Sequence, residues 1–432
     1  MTLTETAPNG QGLSLVDLAK LRGGAPTPKL RTSEALGSQL AYMEETRRDH
    51  GYSPAVGRLF DLVRNFIGDA EQAARNGASV SWISVPFLAP LFYSHDTLPI
   101  PVSELGRLGS SDSLAAAEDY FQLPKESCAM VGAILGEFYL RAARTPRRLV
   151  VYNAQCEPLN LAWELLKDEG FDVFRIEAVN RPNVADDPER VAQLQVFLAD
   201  ELTDLVRWLT GKPIDETRLA DEIRRANRII AKLRRILRLR MRDLLYIRSL
   251  ATMYVLLGMT HYFGKPEAYE EVLDILIEEL ETAAKAPHPS DQLVKLAWVG
   301  GRGQEFGVYK TIDDAGGAIT AWHNPDDWTR DFREDLPPLE AYADHIVTAR
   351  TLGSPVRQMQ RIEETLPEFG AQGILFYGYI GCSFGSVHRE IQAEHFRRKG
   401  LPGIFLEGSF QVGPPSGQLL TRVRAFVEML SR

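Results

Sequence analysis

Two short apolar segments, each followed by a turn that carries a cysteine and then by a helical pattern, constrain the fold of this chain most. LVVYN (Leu149 to Asn153) precedes Cys156, and GILFY (Gly373 to Tyr377) precedes Cys382. Pro158, a residue type favoured in the first turn of a helix, follows the first of these cysteines. Strands followed by helices build parallel sheets, which bind ligands beyond the carboxyl ends of their strands. The two cysteines are therefore predicted to face a site and not a core.

The same alternation of strands and helices recurs on both sides of a long helical stretch. Strands are predicted at residues 79–87, 98–104, 148–153, 171–178, 293–301, 318–322, 373–377 and 403–410. The pattern predicts an α/β fold of two doubly wound lobes, with parallel sheets that flank a helical middle segment. The expected divisions are a flexible or docking N-terminal arm at 1–30, a first lobe with a helical N-terminal part at 31–180, the helical middle at 181–290 and a second lobe at 291–432.

The composition and the chain start argue against several classes of function. The formal net charge is −9 over 432 residues, whereas nucleic-acid binding needs concentrated Lys and Arg. No apolar run approaches the ~18 residues of a membrane span, and MTLTETAPNGQGLS lacks the basic start and apolar core of a secretory signal. We therefore expect a cytoplasmic protein that binds neither nucleic acid nor membrane. The arginine run on the longest predicted helix, Pro213 to Arg242, is interpreted as a solvated or subunit-facing surface.

The three cysteines, Cys128, Cys156 and Cys382, permit several interpretations. A free cysteine often acts as a small apolar core residue, which suits Cys128 on its apolar helix face best. A nucleophilic cysteine with a histidine base needs only one of the three, and His388 is near Cys382 in sequence. Zinc usually takes closely spaced pairs, which are missing here. Three dispersed thiolates suit an iron–sulfur cluster with one iron left open, although the spacing is not that of a ferredoxin.

The glycine-rich segment GGRGQEFG, Gly300 to Gly307, follows a predicted strand and precedes a predicted helix. Backbone amides in such a segment bind phosphate in some proteins. The Lys-Ser or Lys-Thr of a P-loop is missing, and the spacing is not that of a dinucleotide-binding fingerprint. The segment is interpreted as a tight turn next to the active site.

Six segments, taken together and in this order, resemble the family of 2-hydroxyacyl-CoA dehydratase and ATP-dependent benzoyl-CoA reductase subunits. The resemblance covers residues 75–432 and includes all three cysteines. The segments are KESCAMVGAILG around Cys128, YNAQCEPLNLAWELL around Cys156, GKPIDETRLADEIRRANRI, WVGGRGQEFGVYKTIDDAGGAI, GYIGCSFGSVHREI with LPGIFLEGSF around and after Cys382, and the C-terminal QLLTRVRAFVEML.

The resemblance implies a cofactor, partners and a reaction. Cys128, Cys156 and Cys382 would bind one [4Fe-4S] cluster between the lobes, with the fourth iron position open to a non-protein ligand. The expected partners are a related sister subunit with its own cluster and an ATP-hydrolysing iron–sulfur activator that delivers single low-potential electrons. The substrate would be a CoA thioester, whose one-electron reduction gives a ketyl-type radical. That radical expels a hydroxyl group in the dehydratases and leads to ring reduction in the benzoyl-CoA reductases.

The chain departs from the family pattern at places that bear on proton transfer. Where many members have Pro-Glu-Glu, the sequence reads Leu88-Ala89-Pro90, and Asp96 stands where a Gly would fall. Glu157 replaces the Asp that usually follows the second cysteine, and Ile380-Gly381 replaces Lys-Phe before the third. The groups that remain as candidates for proton handling are Ser94, His95, Glu104 and His388, each of which also suits an ordinary structural or surface role.

These departures affect dehydration chemistry more than cluster binding. Together with the length and the arginine-rich composition, they favour an iron–sulfur subunit of the benzoyl-CoA reductase type. The first alternative is a 2-hydroxyacyl-CoA dehydratase subunit. The second is a non-catalytic electron relay or scaffold that supports a catalytic sister subunit.

Overall fold

Two parallel sheets organise the computed structural model of this chain. It describes residues 34–84, 87–109, 111–152, 156–177, 187–283, 292–301, 305–323, 329–349, 355–382, 388–408 and 415–432. The N-terminal arm predicted at residues 1–30 lies outside the described residues, and the expected domain divisions stay a prediction.

The first sheet has four parallel strands in the order β2-β1-β3-β4. Its strands are β1 (Ser79–Ile83), β2 (Thr97–Pro101), β3 (Arg148–Tyr152) and β4 (Asp172–Ile176). The chain moves outward from β1 to β2 and then returns to the other side of β1 for β3. The loops after β1 and β3 therefore leave in opposite directions, and the crevice between them is where open α/β sheets bind ligands. The helices of this part are Glu34–Asp49, Pro54–Arg75, Ala89–Tyr93, Val102–Leu108, Ser111–Asp119, Ala129–Leu140 and Glu157–Asp168.

The second sheet repeats this topology, with four parallel strands in the order β6-β5-β7-β8. Its strands are β5 (Val294–Gly300), β6 (Gly317–His323), β7 (Gly373–Tyr379) and β8 (Gly403–Gly408). The reversal of direction here falls between β5 and β7. The helices are Phe306–Asp314, Pro338–Val347, Pro355–Phe369, Arg389–Arg398 and Gly417–Leu430.

Helices fill the chain between the sheets, and their ends follow local sequence signals. The helices are Pro188–Thr210, Glu216–Arg240, Ser249–Leu257 and Pro266–Ala283. Asp187 and Asp215 cap the first two of them by accepting hydrogen bonds from backbone amides. Gly211 ends the first with φ of 70°, a conformation that favours glycine.

The arginines of the longest helix, Glu216–Arg240, form ion pairs with acidic side chains of other elements. The pairs are Arg218 with Asp96, Arg225 with Glu267, Arg234 with Asp331, Arg235 with Glu281 and Arg238 with Glu368. Much of the positive charge of this helix is thus neutralised within the chain.

The predicted fold class is confirmed: the chain is α/β, with two four-stranded parallel sheets separated by a helical segment. The differences lie at element boundaries. The strand predicted at 79–87 ends at Ile83, and the helix predicted to start at Lys125 starts at Ala129. Cys128 consequently lies at the N-cap position and not on the face of the helix.

One continuous cluster of buried side chains connects both sheets with the middle helices. A smaller cluster covers the other face of the second sheet, where Phe376 of β7 packs with Phe396 and Phe405. Tyr377, the next residue of β7, points to the opposite face and stacks on Trp298 of β5. The second sheet is therefore covered on both faces, as parallel sheets require. Within the described residues, no helix is long and apolar enough to cross a membrane.

A buried histidine, His50, makes the stability of this assembly depend on pH. Its Nδ1 is 2.6 Å from the carbonyl oxygen of Thr46, and its Nε2 accepts a hydrogen bond of 3.0 Å from the amide of Arg248. The ring must be neutral to accept that bond, and burial lowers its pKa below the ordinary value of 6.5. Because the unfolded chain binds this proton more readily, the contribution of His50 is complete above about pH 6.5 and is lost as the pH falls below it.

We therefore expect the free energy of unfolding, measured with urea, to be lower at about pH 5.5 than at about pH 7.5. This decrease should be smaller in a His50→Gln variant than in the natural chain. The comparison between the two proteins removes the contributions of other titrating groups. An equal loss in both would contradict a neutral His50.

Candidate functional site

The site lies where the carboxyl ends of the two sheets present side chains at their points of reversal. In the first sheet, Ser84 directly follows β1, and its hydroxyl accepts a hydrogen bond of 2.7 Å from the amide of Tyr152 at the end of β3. Cys156 follows β3 and precedes helix Glu157–Asp168. In the second sheet, Glu305 follows β5 and Cys382 follows β7. Each point of reversal thus carries one cysteine and one oxygen-bearing side chain.

The third cysteine joins the two sheets. Cys128 belongs to the first lobe and Cys382 to the second, and interaction with the Cys382 side chain raises the pKa of the Cys128 thiol. Next to it, the amide of Ala129 donates a hydrogen bond of 3.3 Å to the carbonyl oxygen of Ile380. The first amide of helix Ala129–Leu140 thereby finds its partner in the turn after β7 and not in its own chain segment.

Gly381 makes this close approach of the two lobes feasible. Its φ is +74°, in the left-handed region that glycine occupies without cost. A Cβ at this position would lie 2.4 Å from the carbonyl oxygen of Glu126 and 2.7 Å from the carbonyl carbon of Ser127. Only a residue without a side chain lets the turn after β7 rest on the segment that leads to Cys128.

The surroundings of the cysteines combine burial with helix amides. The interaction with Cys382, and then burial, hold the pKa of Cys128 well above its ordinary range, while the amides of Val131 and Met130 act in the opposite direction. Burial raises the pKa of Cys156, the amide of Leu159 lowers it, and interaction with Cys382 adds to the increase. Cys128 and Cys156 both occupy N-cap positions, where the helix dipole favours negative charge.

The donor set suits a cluster better than a single ion. Among the described residues, no three His, Cys, Asp or Glu side chains are placed to hold one metal ion. A [4Fe-4S] cluster makes a different demand, because each thiolate binds a separate iron atom and the sulfurs need not meet at one point. Interaction with Cys382 raises the pKa of Cys128, and burial and then interaction with Cys382 raise that of Cys156, which indicates that the three thiols influence one another. The chemistry of three thiols suits such a cluster, but the described residues form no assembled cluster site, so this ligand set stays a prediction.

A buried carboxyl group, that of Glu305, was not singled out from the sequence. Its residue is 2% exposed and stands at the N-cap of helix Phe306–Asp314, and the hydroxyl of Tyr377 donates a hydrogen bond to it. Gly408, the last residue of β8, leaves room for this pair, since a Cβ there would lie 2.2 Å from the Tyr377 hydroxyl oxygen. The sequence signal was an acidic residue inside the turn GGRGQEFG, but its partners come from β7 and β8.

Of the four residues predicted to handle protons, the structure brings two together: the Oγ of Ser94 is 2.8 Å from the Nδ1 of His95. The Ser94 hydroxyl donates to the carbonyl oxygen of Leu91, and the Nε2 of His95 accepts a bond of 3.1 Å from the amide of Asp215. Ser94 and His95 thus connect helix Ala89–Tyr93 to the start of the longest helix. Glu104 is buried in helix Val102–Leu108, and His388 is half-buried at the N-cap of Arg389–Arg398. Their proton-transfer roles stay predictions.

The departures from the family pattern have visible structural consequences. Asp96, where the resemblance expects Gly, has φ of 53°, a left-handed conformation that glycine adopts most readily. Its carboxylate forms two hydrogen bonds, of 2.6 and 2.8 Å, with the guanidinium of Arg218. Ala89 and Pro90, which stand in place of the two carboxylates, are buried and apolar, and the Tyr342 hydroxyl donates to the carbonyl oxygen of the preceding residue, Leu88.

Comparison with known proteins shows a family for this chain. The family model described as 2-hydroxyglutaryl-CoA dehydratase, D-component, matches residues 89–430, a span that contains all three cysteines. No curated protein matches the chain.

Proposed function

Because this chain belongs to the 2-hydroxyglutaryl-CoA dehydratase D-component family, which includes benzoyl-CoA reductase subunits, we propose that it is the iron–sulfur subunit of an acyl-CoA reductase of the benzoyl-CoA type. Members of the family are catalytic dehydratase or reductase subunits that bind iron–sulfur clusters and act with partner subunits. The assignment to reductive dearomatisation is the finer step of the proposal.

The observation that supports the proposal is the position of the three cysteines in the fold. Cys156 follows β3 and Cys382 follows β7, each at the point of reversal of its sheet, and Cys128 precedes a helix whose first amide donates a hydrogen bond to Ile380 in the turn before Cys382. These three residues would hold a [4Fe-4S] cluster through three of its irons. When bound, the cluster would supply single electrons of low potential to the thioester carbonyl of the substrate.

The residues of the chain would prepare the surroundings of that chemistry. The amides at the starts of helices Ala129–Leu140 and Glu157–Asp168 would stabilise negative charge on the ligating sulfurs. The contact between the turn after β7 and the segment before Ala129 would form one wall of the site, and a strongly reducing reaction benefits from a site that excludes water. An ATP-hydrolysing activator and a related sister subunit would be the partners.

One observation favours the reductase over the dehydratase alternative. The stretch Leu88-Ala89-Pro90, which replaces the family's Pro-Glu-Glu, is buried and contains no acid. Elimination of a hydroxyl group needs a proton donor for the leaving group, and an apolar stretch cannot provide one. Reduction of an aromatic acyl group has no hydroxyl leaving group to protonate.

The proposal is tested first by iron and acid-labile sulfide analysis of the anaerobically purified protein. We expect about four irons per chain, as one [4Fe-4S] cluster requires, and a loss of most of that iron in each of the variants Cys128→Ala, Cys156→Ala and Cys382→Ala. A His388→Ala variant is the control, because it alters a residue close in sequence to Cys382 without removing a thiol. Iron retained in all three cysteine variants would sink the cluster assignment.

The reaction type is tested next, with the sister subunit and activator present. Benzoyl-CoA should be reduced to a dienoyl-CoA, and 2-hydroxyacyl-CoA thioesters should not be dehydrated. Dehydration of a 2-hydroxyacyl-CoA without reduction of benzoyl-CoA would support the dehydratase alternative. If no CoA thioester changes the EPR signal of the cluster, the result would instead favour an electron relay.

A further inference from the structure

The packing of the lobes at Cys128 and Cys382 has a consequence beyond iron binding. The segment that leads to Cys128 packs against the turn that leads to Cys382: the amide of Ala129 donates a hydrogen bond of 3.3 Å to the carbonyl oxygen of Ile380, and a Cβ on Gly381 would lie 2.7 Å from the carbonyl carbon of Ser127. Two thiols on such segments become a disulfide when a suitable oxidant is present and the backbone allows the approach. We propose that Cys128 and Cys382 form a reversible disulfide that joins the two lobes whenever they are not bound to iron.

The backbone on both sides of the pair is already fixed at close range. Ala129, which directly follows Cys128, donates a backbone hydrogen bond to Ile380, which precedes Cys382 by two residues. Gly381 lies against Glu126 and Ser127 on the other side. A disulfide fails to form when the two backbones must first move together, and here tertiary contacts hold them together in advance.

Access to an oxidant differs between the two thiols and sets the order of events. Cys128 is only 4% exposed, while Cys382 is partly exposed. Oxidised glutathione would therefore react first with Cys382, to give a mixed disulfide and one glutathione thiol. The Cys128 sulfur then attacks the Cys382 sulfur and releases the second glutathione thiol. In sum, two protein thiols lose two electrons and two protons, and one glutathione disulfide becomes two thiols.

The disulfide deepens the proposed function, and its competition with iron rests on that function. The disulfide and the cluster would use the same two sulfurs, so each state excludes the other. Oxidised protein should then take up no iron until a reductant reopens the bridge. Such a bridge would protect the two thiols from irreversible oxidation when the cluster is lost.

The test uses the full chain freed of iron with a chelator and then incubated with oxidised glutathione without oxygen. After alkylation of free thiols, peptide mapping without reduction should show a Cys128–Cys382 linkage and an alkylated Cys156, and dithiothreitol should reverse the linkage. A Cys156→Ser variant is the matched control and should form the same bridge. In a Cys128→Ser variant, Cys382 should stop at the glutathione mixed disulfide.

The outcomes separate this inference from the proposed function. A bridge that includes Cys156, or complete alkylation of Cys128 and Cys382 after oxidation, would overturn the disulfide. Iron uptake by the reduced chain is measured in parallel on the same sample. If the bridge forms but the reduced chain takes up no iron, the disulfide is supported and the cluster is contradicted. If the reduced chain takes up iron but no bridge forms, the cluster is supported and the disulfide is contradicted.

Discussion

Replacing Gly381 by Ala is expected to separate the lobes at the cysteine site. An alanine in this left-handed conformation destabilises the folded chain by about 1–2 kcal/mol. Its Cβ would also lie 2.4 Å from a backbone oxygen of Glu126. Overpacking of this kind typically costs about 1–3 kcal/mol. We expect the free energy of unfolding to fall by about 2–5 kcal/mol, the range that the two costs span together, and most of the bound iron to be lost.

Gly400→Ala provides the matched control for this experiment. Gly400 has φ of +77°, close to the +74° of Gly381, but no atom lies within 4 Å of an added Cβ. It should therefore carry the conformational cost alone and keep its iron. Urea unfolding and iron analysis of both variants decide the matter: equal effects at the two glycines would mean that the contact with Glu126 and Ser127 is unimportant.

Replacing Arg141 by Met is expected to destabilise the first lobe by about 3–5 kcal/mol, the usual cost of removing one partner from a buried ion pair. The guanidinium of Arg141 bonds to Glu137 at 2.7 Å and to Glu71 at 3.0 Å, and all three side chains are at most 12% exposed. Without Arg141, two carboxylates remain in a buried place with much of their compensation gone. Urea unfolding of the variant measures the loss.

An exposed pair in the same protein serves as the control. Arg207 pairs with Asp204 at 2.6 Å, but the two side chains are 62% and 63% exposed. Arg207→Met should change stability by no more than about 0.5 kcal/mol, since water screens such pairs. If Arg141→Met lowers the free energy of unfolding as little as Arg207→Met does, the buried carboxylates must take up protons or water without difficulty. The ion pairs of Arg141 would then contribute little to stability.

The sequence predicted the positions of Cys156 and Cys382 well because the relevant signals are local. An apolar strand, a turn and a helix start lie within a dozen residues of each cysteine, and hydrophobic periodicity reports such units directly. Cys128 was placed less well, on a helix face instead of at the N-cap. The reason is that the amide of Ala129 bonds to Ile380 of the other lobe, so a distant segment determines where this helix begins.

Glu305 shows a second limit of the same kind. Nothing in its neighbourhood in the sequence indicates a buried carboxyl group, because Tyr377 and Gly408, which surround it, are 72 and more residues away. Charged residues in a glycine-rich turn are ordinarily exposed. Only the order of strands β5, β7 and β8 in the sheet brings these three residues together.

The sequence by itself determined the α/β class, the parallel direction of both sheets and the two strand ends that carry Cys156 and Cys382, since alternation of apolar strands and helices leaves few other folds. The tertiary structure alone decided that the segment leading to Cys128 packs against the turn leading to Cys382, that Gly381 permits this packing and that Arg141 joins Glu71 to Glu137. The physical reason is the range of the forces involved. Strands and helices follow from side chains a few positions apart, whereas the site depends on packing between segments that the chain separates widely.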